Sequence, residues 1–126
     1  MVVDDEAVIR SVGSRMLSRL GYDRVEFAED GQEALGKYKA AMESGSQYDI
    51  VIVDLTLPGS MGGKEVVKAL LKMDPHANIV ISSGYFNDPI VTDFRRHGIK
   101  GVLAKPYKLE ELELMLHETH HQEVPH

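Results

Sequence analysis

Cysteine is missing from all 126 residues. Its absence excludes a disulfide framework, a thiolate nucleophile and a sulfur-ligated zinc site, and fits a reducing compartment, so a cytoplasmic location is expected. No apolar run approaches the ~20 residues that span a bilayer, and the N-terminus lacks the basic start and apolar stretch of a signal peptide. The chain is therefore expected to be soluble and to make no membrane contact of its own. Positive charge is also scarce: 14 Lys and Arg face 20 Asp and Glu, a formal net charge of −6. That balance works against direct nucleic-acid binding, which relies on cations neutralising phosphates. There is no linker, low-complexity tract or internal repeat. The length suits one domain that hides roughly two-thirds of its unfolded surface. We place that domain at residues 1–121, with 122–126 as a C-terminal tail.

What is present is a rhythm of short apolar runs: Val2-Val3, Ile50 to Val53, Ile79 to Ile81 and Val102 to Ala104. Unbroken runs of this kind predict strands buried on both faces of a parallel sheet. Arg24 to Ala28 alternates instead and predicts an edge strand. Helical spacing fills the gaps, with Ile9, Val12, Met16 and Leu20 first, then Ala34, Leu35, Tyr38, Ala41 and Met42, then Val66, Val67, Leu70 and Leu71. Ile90, Val91 and Phe94 mark a fourth helix, opened by Asp88-Pro89 and stopped at Gly98; Leu109, Leu112, Met115 and Leu116 mark a fifth. Asp30 with Glu33 is an N-terminal capping signal, and Gly21 and Gly45 are helix stops. Five strands alternating with five helices predict a doubly wound α/β domain, most simply a flavodoxin-like sheet of order 2-1-3-4-5.

In such sheets ligands gather beyond the carboxyl ends of the strands. The residues there are Asp4-Asp5, Asp54, Ser82-Ser83 and Lys105-Pro106. Each has an ordinary structural reading alone, as helix cap, turn or solvated cation. Together, three carboxylates on one rim repel one another unless a cation joins them. All-oxygen donors suit Mg²⁺, which keeps several waters and shares its sphere with phosphate. Asp54 needs no general base to act as a nucleophile, because a carboxylic acid with a pKa near ~3.9 is already ionised at neutral pH. Lys105 can oppose charge on a transferring phosphoryl group, and Ser83 can donate to a phosphoryl oxygen once one is present.

The sequences Val-Val-Asp-Asp-Glu at 2–6, Asp-Ile-Val-Ile-Val-Asp-Leu-Thr-Leu-Pro at 49–58, Ser-Ser-Gly-Tyr at 82–85 and Lys-Pro at 105–106 resemble the response-regulator receiver family of two-component signalling. The likeness covers nearly the whole chain. It implies that Asp54 is the phospho-acceptor, that Asp5 binds Mg²⁺ directly and Asp4 mostly through water, and that the Thr56 carbonyl is a further ligand. Ser83, directly before Gly84, takes the switch-hydroxyl place, and Lys105 that of the phosphate-binding lysine. The side chain of Thr56 occupies the position that tunes dephosphorylation. The partner implied is a histidine kinase or histidine phosphotransfer domain. Helix four, strand five and helix five are implied as the output face, through which a homodimer is expected. A receiver catalyses its own phosphorylation and dephosphorylation. Val102 departs from the family, standing where receivers carry a Tyr or Phe whose rotamer follows the switch. The longer loop Pro58 to Gly63, with Ser-Gly-Tyr at 83–85, looks like receivers of hybrid sensor histidine kinases. Only two apolar residues separate Met1 from Asp4, fewer than the ~5 of a typical strand. Either a stand-alone receiver or a fragment of a longer protein is expected.

Other readings compete. His117-Glu118-Thr119-His120-His121 matches the H-E-x-x-H pattern of zinc proteases, yet a five-residue pattern at a fraying helix end is a weak signal. A pseudo-receiver, an interaction module without chemistry, would have lost Asp54, Lys105 or the acidic pair. A dehalogenase-type phosphatase wants a second Asp where Thr56 stands. His76 and His97 are expected on the surface, and Met16, Met42, Met73 and Met115 in the core.

Overall fold

The computed structural model describes residues 1–22, 24–59, 61–84 and 88–123, with side chains as far as 117. Its five strands are β1 (Val2–Val3), β2 (Phe27–Ala28), β3 (Val51–Asp54), β4 (Ile79–Ser83) and β5 (Gly101–Ala104). All pair in parallel, in the order β2-β1-β3-β4-β5. The alternation of elements predicts the doubly wound class, and the order is that of the flavodoxin-like arrangement expected as its simplest form. Parallel neighbours need crossovers, and helices α1 (Ala7–Arg19), α2 (Gly31–Ser44), α3 (Gly63–Met73) and α4 (Pro89–Thr92) lie in them, while α5 (Leu109–Glu123) follows β5 and packs back on the sheet.

The apolar residues in and beside the strands face two separate cores. Val2, Ile50, Ile52, Val80 and Leu103 join Leu17 of α1 and Leu112 and Leu116 of α5 on one side. Val3, Val51, Val53, Ile79 and Ile81 join Tyr38 of α2, Val66, Val67 and Leu70 of α3, and Ile90 and Val91 of α4 on the other. Successive residues along each strand thus alternate between two helix layers, as the pleat requires. Met42 and Met73 pack against the second core and Met16 and Met115 against the first, so the methionines fill space. His76 and His97 are exposed, as expected.

The helix ends follow their sequence signals. Asp30 caps α2 by accepting from the Glu33 amide at 2.8 Å, and Gly45 ends it in the left-handed region at φ 75°. The Tyr38 hydroxyl donates to Asp74 Oδ2 at 2.7 Å and ties α2 to the end of α3. Burial, with the Asp74 carboxylate beside it, raises the Tyr38 pKa above the ordinary phenol value.

Two expectations are corrected. The edge strand expected from Arg24 to Ala28 is only Phe27–Ala28, because β1 offers it just Val2 and Val3 as ladder partners. The fourth helix, expected to run unbroken to Gly98, breaks at Asp93 (φ −127°, ψ 41°) into a 3-10 turn over Phe94–His97 before Gly98 stops it at φ 79°. Thr92 and Asp93 compete for backbone hydrogen bonds and are weak helix formers, so one α-turn is all this segment sustains. α5, in turn, continues to Glu123.

Candidate functional site

The carboxyl ends of β1, β3 and β5 bring Asp4, Asp54 and Lys105 together. Asp4 and Asp54 are almost wholly buried, at 0% and 1% exposure, whereas Asp5 is exposed. One carboxylate oxygen from each of Asp4, Asp5 and Asp54 lies within 4.8 Å of the others. Lys105 Nζ sits 2.8 Å from Asp4 Oδ2 and 3.1 Å from Asp54 Oδ2, bridging the two buried acids. Burial by itself would lower the Lys105 pKa, but hydrogen bonds first to Asp4 and then to Asp54 outweigh it and raise it. The ammonium therefore keeps its charge throughout the physiological range.

Backbone and side-chain donors hold the remaining oxygens. Asp54 Oδ1 accepts from the Thr56 amide at 3.0 Å and the Thr56 hydroxyl at 2.9 Å. Asp4 Oδ1 accepts from the Glu6 amide at 2.9 Å, and Arg10 Nη1 donates to the Asp4 carbonyl at 2.8 Å. One lysine cannot balance three carboxylates, and the donor set is oxygen throughout. Both features fit a hard divalent cation such as Mg²⁺.

Gly63, the first residue of α3, lies on the backbone at the end of β3. A β-carbon there would be 2.4 Å from the Asp54 carbonyl and 2.7 Å from Leu55 Cα. Lys64 beside it pairs with Asp88, the cap of α4, at 3.0 Å, joining the segments that follow β3 and β4.

Ser82 and Ser83 separate at the end of β4. Ser82 is level with Asp54 in the register and shares the face of Val80; Ser83, level with Ala104, shares that of Ile81. Both are fully buried. Ser83 also accepts the Lys105 amide on its carbonyl at 3.1 Å. Val102 is half-buried against the core under α3 and α4.

The chain matches the family model described as the response regulator receiver domain over residues 1–117. It belongs to that family. It is 32% identical over 108 residues to the chemotaxis protein CheY of Thermotoga maritima, covering 86% of this chain and 85% of that protein. It is 31% identical over 121 residues to the osmosensing histidine protein kinase SLN1 of Saccharomyces cerevisiae, covering 94% of this chain but 10% of the kinase. Among solved structures it resembles the CheX–CheY–BeF3–Mg complex of Borrelia burgdorferi, with TM-score 0.82 and 25% identity over 98% of this chain and 87% of that one. This is accordingly a receiver domain of two-component signalling, similar both to stand-alone regulators and to a receiver within a hybrid kinase.

Tyr107, Arg10 and Gly63 were not singled out by sequence reasoning. Tyr107 is 6% exposed, and its ring belongs to the core under α1 and α5. Burial pushes its hydroxyl up to about 12; Ser82 and Lys105 pull it down, while Asp4 and Asp54 push it further up. Its signal was its place two residues beyond Lys105, next to the charged site. Of the 117–121 histidine motif, only His117 has a described side chain, and it is exposed; the rest of the motif's side chains lie outside the described residues, as does Tyr85. No described helix is long and apolar enough to cross a membrane.

Proposed function

We propose that Asp54 accepts a phosphoryl group from a phosphohistidine of a histidine kinase or histidine phosphotransfer domain. The observation that carries this reading is the Asp4–Asp5–Asp54 cluster with the Lys105 ammonium between its two buried members. A carboxylate oxygen of Asp54 forms the new O–P bond as the P–N bond to the donor imidazole breaks, and the bonding pair stays with the ring nitrogen. A carboxylate nucleophile requires no general base. Thr56 steers the carboxylate through Oδ1. Lys105 opposes the negative charge on the transferring group and then pairs with the acyl phosphate.

Asp5, Asp4 (mostly through water), Asp54 and the Thr56 carbonyl are the residues that would hold Mg²⁺. What that ion supplies when bound is positive charge against the phosphoryl oxygens. Ser83 donates to the phosphoryl group once it is in place and so favours the switched state of a pre-existing equilibrium. The output face, which also serves a homodimer, comprises α4, β5 and α5. A pseudo-receiver reading has nothing in its favour, since Asp54, Lys105 and the acidic pair stand together.

The test is incubation with Mg²⁺ and acetyl phosphate, followed by intact mass measurement. Wild type should gain one phosphoryl adduct and Asp54→Asn none; no adduct on wild type, or an equal one on the variant, would sink the proposal. Lys105→Ala should keep Mg²⁺ binding but respond poorly to phosphorylation, and an unchanged response removes Lys105 from its role.

A further inference from the structure

Beneath the acidic cluster lie two buried hydroxyls that the chemistry above does not use. Ser82 Oγ and Tyr107 Oη are both shielded from solvent, and neither has a well-formed hydrogen bond among the described residues, although Ser82 is near enough to pull the Tyr107 pKa down. An unpartnered buried donor costs about 1–3 kcal/mol, so such groups are rarely kept without a role. Ser82 stands beside Asp54 in the strand register, on the face that Tyr107 covers. The polar end of Tyr107 therefore meets the site, while its ring meets the helices. That ring belongs to the same core as Val2, Leu17, Leu103 and Leu112. It also lies against α1 at Gly13, where a β-carbon would be 3.4 Å from Tyr107 Cε2. At position 102, on the other side of the sheet, there is only a valine.

Resting on the phosphorylation reading, we propose that Tyr107, with Ser82, is a positioning residue that senses the charge on Asp54 and transmits it to the seam between α1 and α5, giving this receiver a second responsive face. Phosphorylation adds negative charge at Asp54 and draws Lys105 toward it. In a poorly polarisable interior the two hydroxyl dipoles respond to that change more strongly than they would in water. A ring set against Gly13, in the core that α1 and α5 share, moves only by displacing a neighbour, because packed cores shift between discrete arrangements.

The experiment uses the full chain with fluorine-labelled tyrosines, Mg²⁺ and acetyl phosphate, with the adduct followed by mass in the same sample. Tyr107→Phe assigns the Tyr107 resonance and keeps the ring; Ser82→Ala removes the neighbouring hydroxyl. We expect the Tyr107 line to shift when the adduct forms. The phosphorylation-linked amide shifts of α1 and α5 should be lost in both variants, although both still take the phosphoryl group. An adduct with a stationary Tyr107 line, or α1 and α5 shifts in Tyr107→Phe equal to those of wild type, overturns the relay alone. Loss of the adduct in Tyr107→Phe places the hydroxyl in the chemistry and overturns it too. No adduct on wild type sinks the phosphorylation reading, and the relay with it.

Discussion

Each oxygen of Asp54 is held by a different part of the chain: Thr56 two residues on engages Oδ1, and Lys105 from the end of β5 engages Oδ2. Asp54 and Lys105 were legible in the sequence, because each closes or follows an apolar run and charge is costly there unless it is used. Tyr107 was not legible, because an aromatic beside Pro106 reads as ordinary core and only the fold puts its hydroxyl under the carboxylates. That burial has a measurable consequence. The Tyr107 hydroxyl ionises near 10.0 when exposed and at about 12 in the folded protein. Its raised pKa gives stability that is complete below the unfolded value and is lost as pH climbs through the folded one. Denaturant melts stepped across that alkaline window should show Tyr107→Phe losing less stability than wild type, by on the order of 2 kcal/mol. Parallel curves for the two proteins would contradict the assigned burial.

At the scale of elements, α2 and α3 show opposite uses of glycine. Gly36 is exposed within α2, and a β-carbon added there would meet nothing within 4 Å. Gly36→Ala should therefore stabilise the protein by roughly 0.5–1 kcal/mol, through helix propensity alone. Gly63 begins α3 directly on the Asp54–Leu55 backbone, so Gly63→Ala should cost roughly 1–3 kcal/mol and impair phosphorylation as the acceptor strand shifts. Chemical denaturation with the acetyl phosphate assay checks both, and a neutral Gly63→Ala would refute the close approach. The caps at Asp30 and Gly45 were readable because capping is local chemistry. The break in α4 was harder to read: Ile90, Val91 and Phe94 keep the helical period, but Asp93 between them leaves helical geometry. Periodicity records which residues seek the core and not whether the backbone between them stays regular.

At the scale of the whole molecule, binding of a cation to the acidic cluster must appear as folding stability. Mg²⁺ at about 100 times its dissociation constant should raise unfolding free energy by ~2.7 kcal/mol, and chelation should reverse it. Asp5→Asn should lose most of that gain, and thermal melts identical with and without Mg²⁺ would count against the cluster as a metal site. Fold class was accessible from the alternation of apolar runs with helical segments, whereas the strand order was taken from the simplest known arrangement of that class and not read from the residues. The nearness of Ser82 to Tyr107 was not accessible, because it depends on which face each strand end presents. The register carries a further consequence. Asp54 is level with Ser82, and Ser83 with Ala104; a slip of one residue would turn Asp54 toward the aliphatic side and put Val53 among the carboxylates. A misregistered chain is therefore silent rather than permanently active, and competence to receive a signal certifies that the sheet was assembled correctly.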